Sequence, residues 1–149
     1  MKNKLLFCLL VALFACKIKE NDSESTTFFN YLKEVHNLNP DISDHYYFIL
    51  ELDGCQKCNY MMVQNLNNID LKNDKLTIII SYTGKTKPAI FDNLEIKYKI
   101  IYENRKQFYK TSLGYLGHVI IKTNNNKIIE KFLIDDENDI LTFFDKINK

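Results

Sequence analysis

Residues 45–52 read His-Tyr-Tyr-Phe-Ile-Leu-Glu-Leu, and their unbroken apolar and aromatic centre, Tyr46 to Leu50, constrains the chain more than any other stretch. A run this short and this uniform fits a strand buried on both faces, which needs helices above and below a sheet. Asp53-Gly54 breaks the run, and Cys55 to Asn67 follows with Met61, Met62 and Leu66 on a helical stripe. Leu76 to Tyr82 repeats the strand pattern, and Thr83-Gly84-Lys85 ends it.

The rest of the chain alternates in the same way. Phe28, Phe29, Leu32, Val35 and His36 recur at helical spacing and Asn39-Pro40 closes that segment. Pro88 suits the first turn of a short helix running to Leu94, Tyr98 to Tyr102 is a third strand, and Arg105 to Ser112 reads as helical. His118 to Thr123 and Lys127 to Ile134 are strands joined by Asn124-Asn125-Asn126, a turn in which Asn tolerates positive φ. Asp139 to Ile147 makes a final amphipathic helix behind an acidic cluster. The pattern predicts an α/β domain with a mostly parallel central sheet, a terminal antiparallel hairpin and helices on both faces.

Composition narrows the function classes. At 149 residues and 46% hydrophobic, with Gly 4 and Pro 2, the chain fits one packed domain and neither a disordered nor a collagen-like class. Lys+Arg 20 against Asp+Glu 19 gives a net charge of +1, which excludes a strongly basic nucleic-acid binder. Tyr46-Tyr47 and Phe143-Phe144 read as core, so no cofactor is expected, and a monomer is expected.

Lys2 and Lys4 precede an apolar run from Leu5 to Ala15, the pattern of a secretory signal. The run is shorter than the ~20 residues a membrane span needs. Its end, Leu13-Phe14-Ala15-Cys16, resembles the bacterial lipoprotein lipobox, with Phe14 bulkier than the residue usual there. That resemblance implies cleavage before Cys16 and lipidation of its sulfur; the plainer reading is an ordinary signal peptide with Cys16 incidental. Residues 1–15 are then the signal, 16–26 the lipidated Cys and a polar tether, and 27–149 the folded domain, anchored in the cell envelope and facing the periplasm or cell exterior.

Removing the signal deletes Cys8 and lipidation consumes Cys16, which leaves Cys55 and Cys58 in the domain. A bridge between residues so close staples nothing distant, so the pair suggests chemistry more than scaffolding. A Cys-x-x-Cys between a buried strand and a helix puts the first sulfur over the helix N-terminus, where unpaired N–H groups and the macrodipole favour a thiolate. The first thiol of such motifs falls from ~8.5 to between about 3.5 and 7.5. Cys55 is then the nucleophile and Cys58 the resolver, with Lys57 adding positive charge. Competing readings are a structural disulfide without turnover and metal binding by the dithiol, although no second Cys pair exists and His36, His45 and His118 lack zinc-finger spacing.

Strand-Gly54-Cys55-Gln56-Lys57-Cys58-helix resembles the thioredoxin-like superfamily, in particular its exported, membrane-anchored thiol-disulfide oxidoreductases. The resemblance implies exported protein substrates and a redox partner protein. It also places Gly117, flanked by His118, where the family carries a cis-proline facing the motif. A non-proline cis bond costs ~2.5–4 kcal/mol, so the bond at Gly117 is expected trans, with an altered docking edge. That departure favours an accessory or binding lipoprotein with little turnover as the alternative function, and it raises the metal reading for Cys55, Cys58 and His118. The acid that many relatives bury beneath the resolving Cys is replaced by Ile49, and strand alternation leaves the direction of Glu51 and Asp53 open. His118 could tune the thiolate or donate a proton; a partly exposed structural role is the simpler reading.

Overall fold

The computed structural model describes residues 23–53, 55–69, 75–84, 89–104, 107–113 and 117–147. In chain order they form α1 (residues 23–36), β1 (His45–Glu51), α2 (Gln56–Asn68), β2 (Leu76–Tyr82), a 3-10 turn (Ala89–Phe91) continuing into α3 (Asp92–Lys97), and β3 (Lys99–Asn104). A second 3-10 turn (Phe108–Lys110), β4 (His118–Asn124), β5 (Lys127–Ile134) and α4 (Glu137–Ile147) complete the chain.

The strands form one sheet in the order β3-β2-β1-β4-β5. β1, β2 and β3 run parallel, whereas β4 lies antiparallel to both β1 and β5, so the sheet is mixed. β1 is central because its side chains serve two cores. Phe48 and Leu50 pack with α2, α3 and α4, and Tyr47 and Ile49 pack with α1 and Phe108 on the opposite face. Phe48 meets Phe143 edge-on with ring centroids 5.5 Å apart. Full burial of a side chain this size stabilises by roughly 1.5–3 kcal/mol.

Local chemistry sets the ends of these elements. Asn125 and Asn126 adopt φ of 49° and 57°, the left-handed pair that a two-residue hairpin between β4 and β5 requires. Asp136 Oδ1 accepts the N–H groups of Asn138 and Asp139 at 2.7 and 3.1 Å, while Asp139 Oδ2 accepts those of Asp135 and Asp136. This reciprocal cap starts α4 at Glu137, ahead of the expected Asp139.

Two expectations need correction. α1 is already helical at residue 23, the first described residue, ahead of the expected Phe28 and inside the stretch read as a tether. The polar residues 23–26 give no hydrophobic signal and are instead tied to β5: Ser25 Oγ accepts the Ile128 N–H at 3.0 Å, and Glu24 pairs with Lys131 at 2.6 Å. Residues 105–112 do not form a helix among the described residues beyond the 3-10 turn. Phe108 is drawn into the core with its N–H on the Glu103 carboxylate, 2.9 Å away, and the Thr111 N–H closes on the Phe108 carbonyl at 3.0 Å.

Candidate active site

β1 ends at Glu51, a turn through Leu52 and Asp53 follows, and Cys55 stands at the head of α2. Cys55 is the N-cap, with extended φ of −66° and ψ of 105°, and its Sγ accepts the Cys58 N–H at 3.1 Å. Cys55 and Cys58 are joined in a disulfide with Cα atoms 5.2 Å apart. The two sulfur-bearing residues differ in setting. Cys55 is exposed, whereas Cys58 is 5% exposed and packs into the core beneath α2. A solvent-facing sulfur at a helix N-terminus is stabilised as a thiolate by the terminal N–H groups, and a buried neighbour one turn on is placed to displace whatever binds it.

The disulfide borders a cavity of about 140 Å³ whose other walls are Glu51, Gly117, His118, Ile134 and Asp135. β1 and β4 are neighbours, and that pairing brings the end of one strand to the start of the other. Three hydrogen bonds lock the junction. The Glu51 N–H donates to His118 Nδ1 at 3.1 Å, the Gly117 N–H donates to Glu51 Oε2 at 3.1 Å, and the Tyr109 hydroxyl donates to the Gly117 carbonyl at 2.8 Å. Gly117 has φ of +99°, and a Cβ there would sit 3.4 Å from the Ile134 carbonyl oxygen, so glycine is needed for conformation. The bond entering Gly117 involves residue 116, outside the described residues.

Electrostatics follow from burial. Desolvation pushes His118 below the ordinary histidine range, with the Glu51 charge opposing the shift, so the ring is neutral at pH 7. Because Nδ1 accepts, the neutral ring carries its proton on Nε2. Burial, reinforced by the charges of Glu51, Glu103 and Asp53, raises the Tyr109 hydroxyl, which stays a donor.

The remaining motif residues scatter. Lys57 points to solvent and pairs with Glu137 at 2.6 Å, so its charge is shared with the start of α4 and is not reserved for the sulfurs. Gln56 is exposed and lines a separate groove with Leu52, Asp53, Asn59, Tyr82, Gly84 and Ile90. His118 is buried where partial exposure was the simpler expectation. Gly54 and Cys16 lie outside the described residues. Among the described residues, no three His, Cys, Asp or Glu side chains are grouped as metal ligands would be, and no helix is long and apolar enough to cross a membrane.

Sequence reasoning missed a second polar cluster. Glu103, at the end of β3, is 2% exposed and accepts from the Tyr31 hydroxyl, the Phe108 N–H and Ser81, with His36 Nε2 3.2 Å away. Burial alone would raise its carboxyl; the hydrogen bonds from His36, Tyr31 and Phe108 outweigh that and hold it below the ordinary range. The signal was an acid continuing an apolar strand, Lys-Ile-Ile-Tyr-Glu-Asn.

Three parallel strands, an antiparallel pair added beside β1, and Cys-x-x-Cys at the carboxyl end of the central strand decide the architecture. The fold is thioredoxin-like. Two of the solved structures similar to it illustrate the likeness. One is the solution structure of a candidate protein disulfide isomerase from Bacteroides thetaiotaomicron, at 16% identity over 70% of this chain and 72% of the other, with a TM-score of 0.44. The other is that of a thioredoxin-like protein in the oxidised form, at 11% identity over 74% and 87%, also with a TM-score of 0.44. No protein-family model and no curated protein matches the chain.

Proposed function

We propose that the protein is a thiol-disulfide oxidoreductase held at the cell envelope through lipidated Cys16, exchanging disulfides with exported proteins and recharged by a redox partner. The reading rests on one observation: an exposed Cys55 sulfur capping a helix and bonded to a buried Cys58. In the reductive direction the Cys55 thiolate attacks a substrate disulfide and forms a mixed disulfide. Cys58 then attacks Cys55 Sγ, the substrate sulfur leaves, and the protein disulfide closes.

Insulin reduction by the reduced protein, with Cys55→Ser as control, tests the activity. Turnover by wild type and none by C55S is expected; equal rates would leave a thioredoxin-fold binding protein. The lipobox resemblance supports the anchor. Metabolic labelling with a fatty acid should mark the full-length protein and fail to mark Cys16→Ala, and an unlabelled wild type would remove the anchor.

A further inference from the structure

The start of α2 opens onto two different cavities. Cys55 and Cys58, three positions apart and so on one helix face, border the cavity that Gly117 closes. Gln56 and Asn59, at the same spacing one position on, line a groove of about 520 Å³ with Leu52, Tyr82 and Ile90. The Gly117 side is poorly prepared to hold a client backbone. Its N–H is engaged by Glu51 Oε2 at 3.1 Å and its carbonyl by the Tyr109 hydroxyl at 2.8 Å, so an extended segment pairing there would have to compete with the protein's own side chains.

The groove on the other side has the opposite character: an acceptor and apolar surface are left unmatched. Asn59 is 8% exposed, and its Nδ2 donates to the Leu52 carbonyl at 3.3 Å, which fixes the amide's orientation. Its Oδ1 has no hydrogen-bond partner among the described residues. Buried acceptors are almost always matched by a donor, so an orphan in the wall of a groove marks a place for a ligand N–H. Beside it Ile90 is 40% exposed, and Leu52 and Tyr82 are half-buried.

Resting on the thiol-disulfide reading above, we propose that this groove between α2 and the segment after β2 is the client-docking site. It takes an extended polypeptide next to the client's reacting cysteine, with an aliphatic or aromatic side chain against Leu52, Tyr82 and Ile90 and a peptide N–H on Asn59 Oδ1. A small apolar molecule would cover the walls and leave Oδ1 unmatched; a peptide brings donor and apolar side chain together. Continuity with the motif supports the same occupant. Gln56 directly follows the exposed Cys55, and successive Cα atoms lie about 3.8 Å apart, so a chain bonded to Cys55 Sγ reaches the groove within a residue or two.

A trapped adduct tests the site. In the full chain carrying Cys8→Ala, Cys16→Ala and Cys58→Ser, Cys55 is the one remaining thiol. Its thiolate attacks the cysteine sulfur of a peptide activated as an aryl disulfide; the Cys55–peptide bond forms and the aryl thiolate leaves, which gives the rate. A peptide with leucine on both sides of its cysteine should react about tenfold faster than one with glycine there. N-methylation of the leucine amides, or Ile90→Asp at an exposed position, should remove most of that advantage and leave the rate with a small aryl disulfide unchanged. In NMR spectra of the leucine-peptide adduct, measured against a methylthio adduct, the Asn59 side-chain amide, Leu52, Tyr82 and Ile90 should shift most. Equal rates for leucine and glycine peptides overturn the proposal, as do shifts confined to Gly117, His118 and Ile134. Failure of Cys55 to form either adduct would instead remove the thiol-disulfide reading itself.

Discussion

Glu51 and His118 hold each other's segments in place: the Glu51 N–H reaches His118 Nδ1 at 3.1 Å, and the Glu51 carboxylate reaches the N–H of Gly117, the residue before His118. The pair joins the carboxyl end of β1 to the start of β4 across 66 or more positions of sequence.

His118 makes stability depend on pH in a definite direction. Its folded pKa lies below the ordinary 6.5 because burial disfavours the charged ring. As pH falls below about 6.5 the unfolded chain takes up a proton that the folded chain refuses, so stability declines until the folded value is reached. Urea denaturation across this range should show wild type losing stability relative to His118→Gln. Parallel curves for the two would contradict a buried neutral ring.

Gly117 tolerates no side chain at its φ of +99°. Gly117→Ala should destabilise by about 1–2 kcal/mol from the left-handed backbone alone. Gly117→Pro should do worse, since proline fixes φ near −65° and removes the N–H that Glu51 accepts. Thermal melting of both variants checks the order; a stabilised proline variant would mean that the segment adopts another backbone.

Glu103 anchors the second cluster. In Glu103→Gln an amide donor replaces one carboxylate oxygen amid the donors Tyr31, Ser81 and the Phe108 N–H, and about 1–3 kcal/mol should be lost. Because the folded carboxyl is held below its ordinary 4.5, the wild-type advantage is full above about that pH and fades as pH falls through the lower folded value. Chemical denaturation at neutral and acid pH measures both, and an advantage that persists at acid pH would refute the assignment.

Asp136 caps α4 through two N–H groups. Asp136→Ala should cost about 1 kcal/mol, while Asp136→Asn, which keeps the acceptor, should cost much less. Equal losses in the two variants, read by urea denaturation, would show that charge and not capping matters.

The buried strands and the hairpin were legible because their signals are local. Tyr46 to Leu50 is apolar on both faces, and Asn125-Asn126 supplies the left-handed φ values its turn needs. The sulfur positions were legible for the same reason, since Cys55 follows a strand and opens a helix. Glu51 and Glu103 were not, because their surroundings come from distant residues: Glu51 becomes part of the site only when β4 pairs with β1, and Glu103 only when α1 brings Tyr31 and His36 over β3. The helical residues of α1 before Phe28 escaped notice because they are polar and secured by contacts to β5 that no periodicity records.

One atom, the Cys55 sulfur, is both the stopper of α2 and the reagent of the proposed chemistry. Deleting it with alanine would uncork the helix as well as silence the chemistry, and the two losses would be confounded. Serine keeps an oxygen to plug the same amide, which makes it the cleaner knockout.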